Sequence, residues 1–598
     1  MSYTTPMRNV WLTAVTLTLG VASAYLVTAS GWVMPRASKI PVPAVQAVNI
    51  DPYEQPVLRA YATFRDAAAV ADIATLDSLA RQTSGSYLSY QTLLFLGRHP
   101  DVNAAARSDY LRLALDAHVR DPLARGVLRG LWLEYAQASE QAGYNQAAIS
   151  AYREALPLAE AFQGLERLET RPLALANIFL QENQYRNALR VLDGAAVPSI
   201  EAPAYEGVGD YESALDAYDR WLAEIPSDAT ALTGRAWTLL SLGRLDEAET
   251  AFNQLSTPAR DYGRGIIALR RGDIDRAVNL YVASGDVRYL WNATSLLEDR
   301  DRSREALPIY LQLAATDATT ADDAAYRAYI LASRFGDEAS RARAGELLAD
   351  FSFFGWQQGR DLGIRFQEPL PHVRVPVMDV ASALARIGRV DAAVGELIYA
   401  LQGIDDQASA LVVIEMLQDL GEFRQSQRAA ERWWRGGVRD ARTWQATYPQ
   451  AFPQLVTQQA QTWNVDPALV WAVMREESRF YPNAVSWANA QGLMQVIPST
   501  WNWIAELLGE TPGDPFNIEH NIRYGTYYLS RLQDRFNGDL ERVVPSYNGG
   551  QGYIARLFEA GHVAGNHDDF YRFIDKPETR EYLQKVMLSY AVYKTLYN

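Results

Sequence analysis

The chain repeats itself. Gly209, Ala214, Tyr218 and Pro226 stand at successive offsets of 5, 4 and 8, and Gly243, Ala248 and Phe252 restate the first three 34 residues later. Gly272, Ala277 and Tyr281 follow after 29, and Ala306 with Tyr310 after 29 more. Looser copies occur at Gly143, Ala148 and Tyr152, and at Gly388, Ala393 and Leu397. Units this short cannot bury a face alone, so neighbours must stack into one continuous core. The chemistry of each position suits that task. The glycine ends one helix in a turn, the alanine lets the next helix approach closely, and the aromatic fills the gap between neighbouring pairs.

These offsets resemble the tetratricopeptide repeat. The text from about 60 to 445 is Ala- and Leu-rich, with short turns marked by Gly or Asp. The drop in spacing from 34 to 29 implies shorter, irregular pairs and a curved α-superhelix. At 598 residues the chain is too long for a single core. Its net charge of −15, with no basic stripe, argues against a nucleic-acid partner. Having no cysteine, it forms no disulfides, thiolate metal sites or Cys-linked lipid anchor.

Residues 10–34 form a run without one charge, bounded by Arg8 and Arg36. Its length suits a spanning helix, although the small residues Val21-Ala22-Ser23-Ala24 would also suit a cleavage site. Membrane anchor and cleaved signal both remain open for residues 1–34, and either exports the rest of the chain. Residues 35–56, rich in Pro, Ala and Val, read as a linker.

The stretch 466–498, DPALVWAVMREESRFYPNAVSWANAQGLMQVIP, carries the chemistry. Asp466-Pro467 reads as an N-cap and first-turn pair. On the helix that follows, Val470, Val473, Met474 and Phe480 lie near Glu477, with Arg475 on the opposite side and Glu476 at the edge, within reach of water. A carboxyl group in an apolar stripe is usually a satisfied core group. It can also be a general acid, since desolvation disfavours its ionised form and raises its pKa.

The residues that follow decide between these readings. Glu477-Ser478, Ser486, Gly492-Leu493-Met494-Gln495 and Pro498 resemble the signature of the soluble lytic murein transglycosylase family. Asp514-Pro515, Asn517-Ile518, Asn521-Ile522, Gly525 and Tyr528-Leu529 are similar to its middle segment, and Tyr547-Asn548 with Gly550 to its Tyr-Asn-x-Gly loop. Glu578-Thr579-Arg580, Tyr582 and Val586 are similar to its closing helix. Three positions depart from it. Asn489 stands where the family usually has Gly, Ile497 where a Met commonly precedes the proline, and Gly549 where it has Ala. Asn489 bears on a backbone turn, because Asn adopts positive φ less readily than Gly but better than most residues.

This resemblance implies an all-α protein. Residues 57–445 would be the superhelical tetratricopeptide-like domain and residues 453–598 an α-helical lysozyme-like catalytic domain. The family carries a similar superhelix ahead of its catalytic part, and 351–363 and 444–452 look like its transition. The implied reaction cleaves the β-1,4 bond between N-acetylmuramic acid and N-acetylglucosamine and leaves a 1,6-anhydromuramoyl end. Glu477 would act first as acid and then as base, a single carboxylate doing both tasks. No acidic residue lies between Ser478 and Trp503 to serve as the second carboxylate of a conventional glycosidase. Ser486, Gln495, Tyr547 and Glu578 would contact substrate or shape the site.

Peptidoglycan glycan strands are the implied partner, with protein partners on the superhelix and the membrane through residues 10–34 if that segment is uncleaved. The implied location is the periplasmic side of the cell envelope. No cofactor is implied, and the six scattered histidines lack metal-ligand spacing. Two other readings stay open: a hydrolytic muramidase resembling the goose-type lysozymes, and a non-enzymatic envelope scaffold. Trp487, Trp501 and Trp503 lie near the signature. Aromatics can stack on sugars, but the latter two sit in an expected helix and read as core.

Overall fold

The computed structural model describes residues 56–117, 125–349, 351–359, 361–434, 436–559 and 574–597. The apolar run 10–34 lies outside them. Among the described residues every named element is a helix, and none is long and apolar enough to cross a membrane.

The repeat positions form helix pairs. Pro198–Val208 pairs with Tyr211–Glu224, Ala229–Ser241 with Leu245–Phe252, and Ala259–Arg270 with Ile274–Ser284. The Gly-Asp dipeptides make the turns. Gly209 caps its helix at φ 83°, and Asp210 then caps the next helix by accepting from the Ser213 amide. Gly285-Asp286 and Gly336-Asp337 repeat the arrangement. Glycine enters the left-handed region without steric cost, and aspartate satisfies a free amide of the following helix.

Ala148, Ala214, Ala248, Ala277, Ala306 and Ala393 are fully buried, and the ring or Leu397 four residues after each is nearly so. A second set of glycines receives those rings. A Cβ added at Gly164 would lie 2.3 Å from the Tyr152 ring, at Gly234 2.1 Å from Tyr218, and at Gly263 2.2 Å from Phe252. The rings are also fixed at their far ends. The Tyr218 hydroxyl donates to Glu206 at 2.9 Å and that of Tyr310 to Glu298 at 3.1 Å, while Tyr152 donates to Glu140. Gly234→Ala therefore drives a methyl into a ring held at both ends. A net loss of about 1–2 kcal/mol is expected, because overpacking outweighs the better helix propensity of alanine. A lower denaturant midpoint at unchanged slope would show it.

The chain divides into two compact units, 136–364 and a second built from 56–135, 365–562 and 574–597. Within the second, the first helices pack on those after 376. Leu58, Tyr61 and Leu88 share a core with Ala393, Leu397 and Val413. Buried Glu396 accepts from the Tyr61 hydroxyl at 2.7 Å and from the Tyr87 and Leu88 amides at 3.2 and 3.3 Å. Residues 453–559 and 574–597, which carry the signature, belong to this same unit.

Candidate active site

Glu477 lies in the last turn of the helix Pro467–Ser478. Asp466 caps that helix by accepting from the Ala468 amide at 2.9 Å, and Pro467 occupies its first turn, as the sequence implies. Ala468 to Met474 are buried without a break, so the helix is enclosed all round and not on one face. Arg475 does point away from Glu477's side, but into protein. It lies over the Tyr448 ring and pairs with Glu476 at 2.5 Å and Glu431 at 3.4 Å.

One expectation is refined here and one corrected. Glu476 is held by Arg475 and by the Ser589 hydroxyl at 2.6 Å, so its carboxylate is engaged with protein while its side chain stays 14% exposed. Phe480 is buried, but outside the helix. The helix stops at Ser478, and Arg479 and Phe480 turn the chain at φ 51° and 62°.

Glu477 is half-buried by exposed area, yet protein surrounds its carboxyl group closely enough to push its pKa up to about 8. Burial is the main cause. The hydroxyl of Tyr582 opposes the shift, and the charges of Glu578 and Glu476 add to it. A carboxyl group so placed keeps its proton in neutral water, which is the condition for a general acid.

The loop 484–496 faces this helix end with a tight, sheet-like fold. Gln491 bridges both Val485 and Val496, and the Gly492 amide donates to the Ala484 carbonyl at 2.9 Å. Ser486 exchanges backbone and side-chain bonds with Ala490, its Oγ accepting from the Ala490 amide at 3.0 Å. Asn489 adopts φ 60°, so this turn does use the region where glycine would be favoured. Gln495 sits at φ 48° and donates its Nε2 to the Gly492 and Ala484 carbonyls at 2.7 and 3.1 Å.

Asn521 clasps the loop from beneath. It is buried, accepts from the Met494 amide at 2.7 Å, and donates to the Gln491 and Pro515 carbonyls at 3.0 and 2.7 Å. Gly492 and Gly525 permit the close fit. A Cβ on the first would lie 2.1 Å from Asn521 Nδ2, and one on the second 2.4 Å from Met494 Sδ.

Tyr547, on the helix Leu540–Gly549, donates its hydroxyl to the Met494 carbonyl at 2.8 Å, with Glu477 close enough to disfavour its ionisation. Its ring lies 5.2 Å from that of Tyr528, which lies 6.3 Å from Trp503. Trp501 is core, donating to the Gly513 carbonyl at 3.0 Å, whereas Trp503 is partly exposed. Trp487, next to Ser486, is 89% exposed, more than any other large apolar side chain described.

The helix Pro577–Tyr597 closes the site. Glu578 stands exposed in its first turn, and Thr579 donates to Asn548 Oδ1 at 2.8 Å, tying this helix to the Tyr547 turn. An alanine at 549 would press within 2.8 Å of the Thr579 methyl, which accounts for Gly549. Tyr590 and Lys594 both bond Asp466 at 3.0 Å, while Tyr593 and Tyr597 bond the Pro449 and Tyr448 carbonyls at 2.9 and 2.7 Å.

Glu477, Tyr547 and Glu578 are thus brought together, and Ser486 and Gln495 lie on the loop whose Met494 carbonyl Tyr547 holds. Asn521 and Tyr582 belong to the motifs, but the sequence alone assigns neither a role in the site. The available signal was spacing, since Tyr582 stands one helical turn beyond Glu578 and faces the same way.

Comparison with known proteins agrees with this layout. The family model described as Transglycosylase SLT domain matches residues 454–566, and that described as Tetratricopeptide repeat matches 207–271. Membrane-bound lytic murein transglycosylase C of Yersinia enterocolitica is 34% identical over 163 residues, 23% of this chain and 46% of the relative. Its counterpart in Yersinia pestis is 38% identical over 118 residues, 18% of this chain and 33% of the relative. The chain therefore spans less than half the length of these curated relatives. Among solved structures, the 70-kDa soluble lytic transglycosylase in complex with bulgecin A aligns over 90% of this chain and 96% of its own. Its TM-score is 0.59 at 17% identity, a likeness of fold.

Proposed function

We propose that this chain, which carries a transglycosylase SLT domain behind tetratricopeptide-like helix pairs, cleaves peptidoglycan as a lytic transglycosylase. The observation that carries the reading is Glu477, a carboxyl group held protonated in neutral water at the signature position. It gives its proton to the glycosidic oxygen as the bond from N-acetylmuramic acid to N-acetylglucosamine breaks, a step typically worth about 10²–10⁴-fold. The sugar's own 2-acetamido oxygen bonds to C1 and holds the positive charge. Glu477, now ionised, takes the proton of the C6 hydroxyl. O6 then displaces the acetamido oxygen at C1 and closes the 1,6-anhydro ring.

The neighbouring residues have roles suited to their bonding. Ser486 Oγ accepts from Ala490, so its proton is left to donate to sugar. Gln495 has committed its Nε2 within the loop, which leaves its Oε1 for a sugar hydroxyl or amide. Tyr547 braces the Met494 carbonyl and forms one wall. Glu578 repels negative charge on Glu477 and so favours the protonated acid.

Residues 453–598 are the catalytic domain in this reading. Residues 57–445 are the superhelix that meets glycan strands or protein partners, and residues 10–34 anchor or export the chain to the cell envelope. The test is mass spectrometry of muropeptides released from purified peptidoglycan. Fragments with anhydro ends, lighter by one water than reducing ends, are expected. Reducing ends would make the protein a muramidase, and binding without release would make it a scaffold.

A further inference from the structure

We propose that Trp487 is a sugar-stacking platform of the substrate site, its indole taking the face of a pyranose ring in the glycan strand beside the sugar that Ser486 contacts. The proposal deepens the reading of the site as one that cleaves peptidoglycan, and rests on it. Trp487 is 89% exposed and forms no ring contact or hydrogen bond among the described residues. Folding gains almost nothing from an indole so placed, and an exposed ring of that size marks a place where a ligand is met.

The turn that carries it is a rigid mount. The Ser486 amide donates to the Ala490 carbonyl at 3.0 Å, the Asn489 amide to the Ser486 carbonyl at 2.9 Å, and the Ala490 amide to Ser486 Oγ at 3.0 Å. Residues 487–489 are the exposed tip between those bonds. A ring on two rotatable bonds, carried by a fixed turn, loses little freedom when it is covered.

The surroundings choose the occupant. Every exposed large apolar side chain described beyond residue 453 falls between Val485 and Leu507, on this loop and the helix Pro498–Leu508. No charged side chain occurs from 480 to 505. A lipid surface would call for cations around such a patch, and this segment supplies none. What flanks the ring is hydroxyl and amide, from Ser486, Asn489 and Gln491. Asn489 Oδ1 accepts from Gln491 Nε2 at 3.3 Å, which leaves Asn489 Nδ2 and Gln491 Oε1 to a ligand. An apolar face edged by neutral donors and acceptors matches N-acetylated pyranoses, whose rings have C–H faces and rims of hydroxyl and amide.

The test compares Trp487→Ala and Trp487→Phe in a Glu477→Gln background, with a soluble β-1,4-linked N-acetylglucosamine pentamer as the probe. By calorimetry, Trp487→Ala is expected to weaken pentamer binding about tenfold and Trp487→Phe to keep most of it. With Glu477 in place, Trp487→Ala is expected to raise KM for glycan strands freed of stem peptides, the loss falling on KM more than on kcat. The melting temperature should hold, since the ring packs on nothing. Equal pentamer affinity with and without the ring, or no pentamer binding at all, would overturn the platform. So would loss of binding to anionic lipid vesicles in Trp487→Ala with pentamer affinity intact. If the ring governs pentamer affinity while the unmodified chain releases no anhydro ends, the platform stands and the transglycosylase reading falls.

Discussion

Glu477→Gln should release no anhydro-ended fragments above about 10⁻²–10⁻⁴ of the normal rate, and the variant should be more stable than the protein it came from. Both effects have one origin. Glutamine has the size of the protonated acid but no proton to give, so chemistry stops while packing is kept. Burial holds the folded-state pKa near 8, against 4.5 for a free glutamate. Below pH 4.5 the folded and unfolded chains both hold the proton, and the site costs nothing on this account. As pH rises towards 8, only the unfolded chain ionises, and stability is lost by about 1.4 kcal/mol per unit. At neutral pH the variant escapes roughly 1–3 kcal/mol of that loss, since Glu477 keeps some contact with solvent. Chemical denaturation at pH 7 and at pH 4 checks it: the gain should be present at the first and absent at the second. A variant that keeps its activity would remove Glu477 from the mechanism.

Asn521→Ala is expected to cost about 2–4 kcal/mol and to lower activity by at least tenfold. It leaves the buried Met494 amide and the Pro515 carbonyl without this partner and the Gln491 carbonyl with the Val496 amide alone. The loop 484–496 then loses the clasp that holds Ser486 and Gln495 in place. Asn521→Asp separates the two donors from the acceptor. It still accepts from Met494, but turns a carboxylate oxygen toward the carbonyls of Gln491 and Pro515. A defect as large as that of alanine would assign the clasp to the Nδ2 donations, and a mild defect to the Met494 bond. Thermal melts with fragment release on the same samples give both numbers.

Local grammar was the legible part of the sequence. Gly209-Asp210 announces a helix stop and start within two residues, and Asp466-Pro467 and Asn517 announce helix starts, because these effects involve only atoms near in the chain. The repeat offsets located the buried alanines and rings for the same reason. Partners across the chain were not legible. Nothing near Glu476 in the chain foretells its bond to Ser589, more than a hundred residues on. The ring-accepting glycines Gly164, Gly234 and Gly263 carry no signal of their own until the facing helix is in place. The sequence places Phe480 on a helical face because the left-handed turn at Arg479 is not marked by a glycine.

The closing helix gives this chemistry an order in time. Glu477 is synthesised roughly a hundred residues before Tyr582, and the helix Pro577–Tyr597 must dock before the acid's surroundings are complete. Until then Glu477 is an ordinary carboxylate in water, ionised at neutral pH and unable to protonate a glycosidic oxygen. A nascent or half-folded chain is therefore expected to lack a protonated acid at neutral pH. The proposed acid would thus be assembled by the same packing step that docks the closing helix.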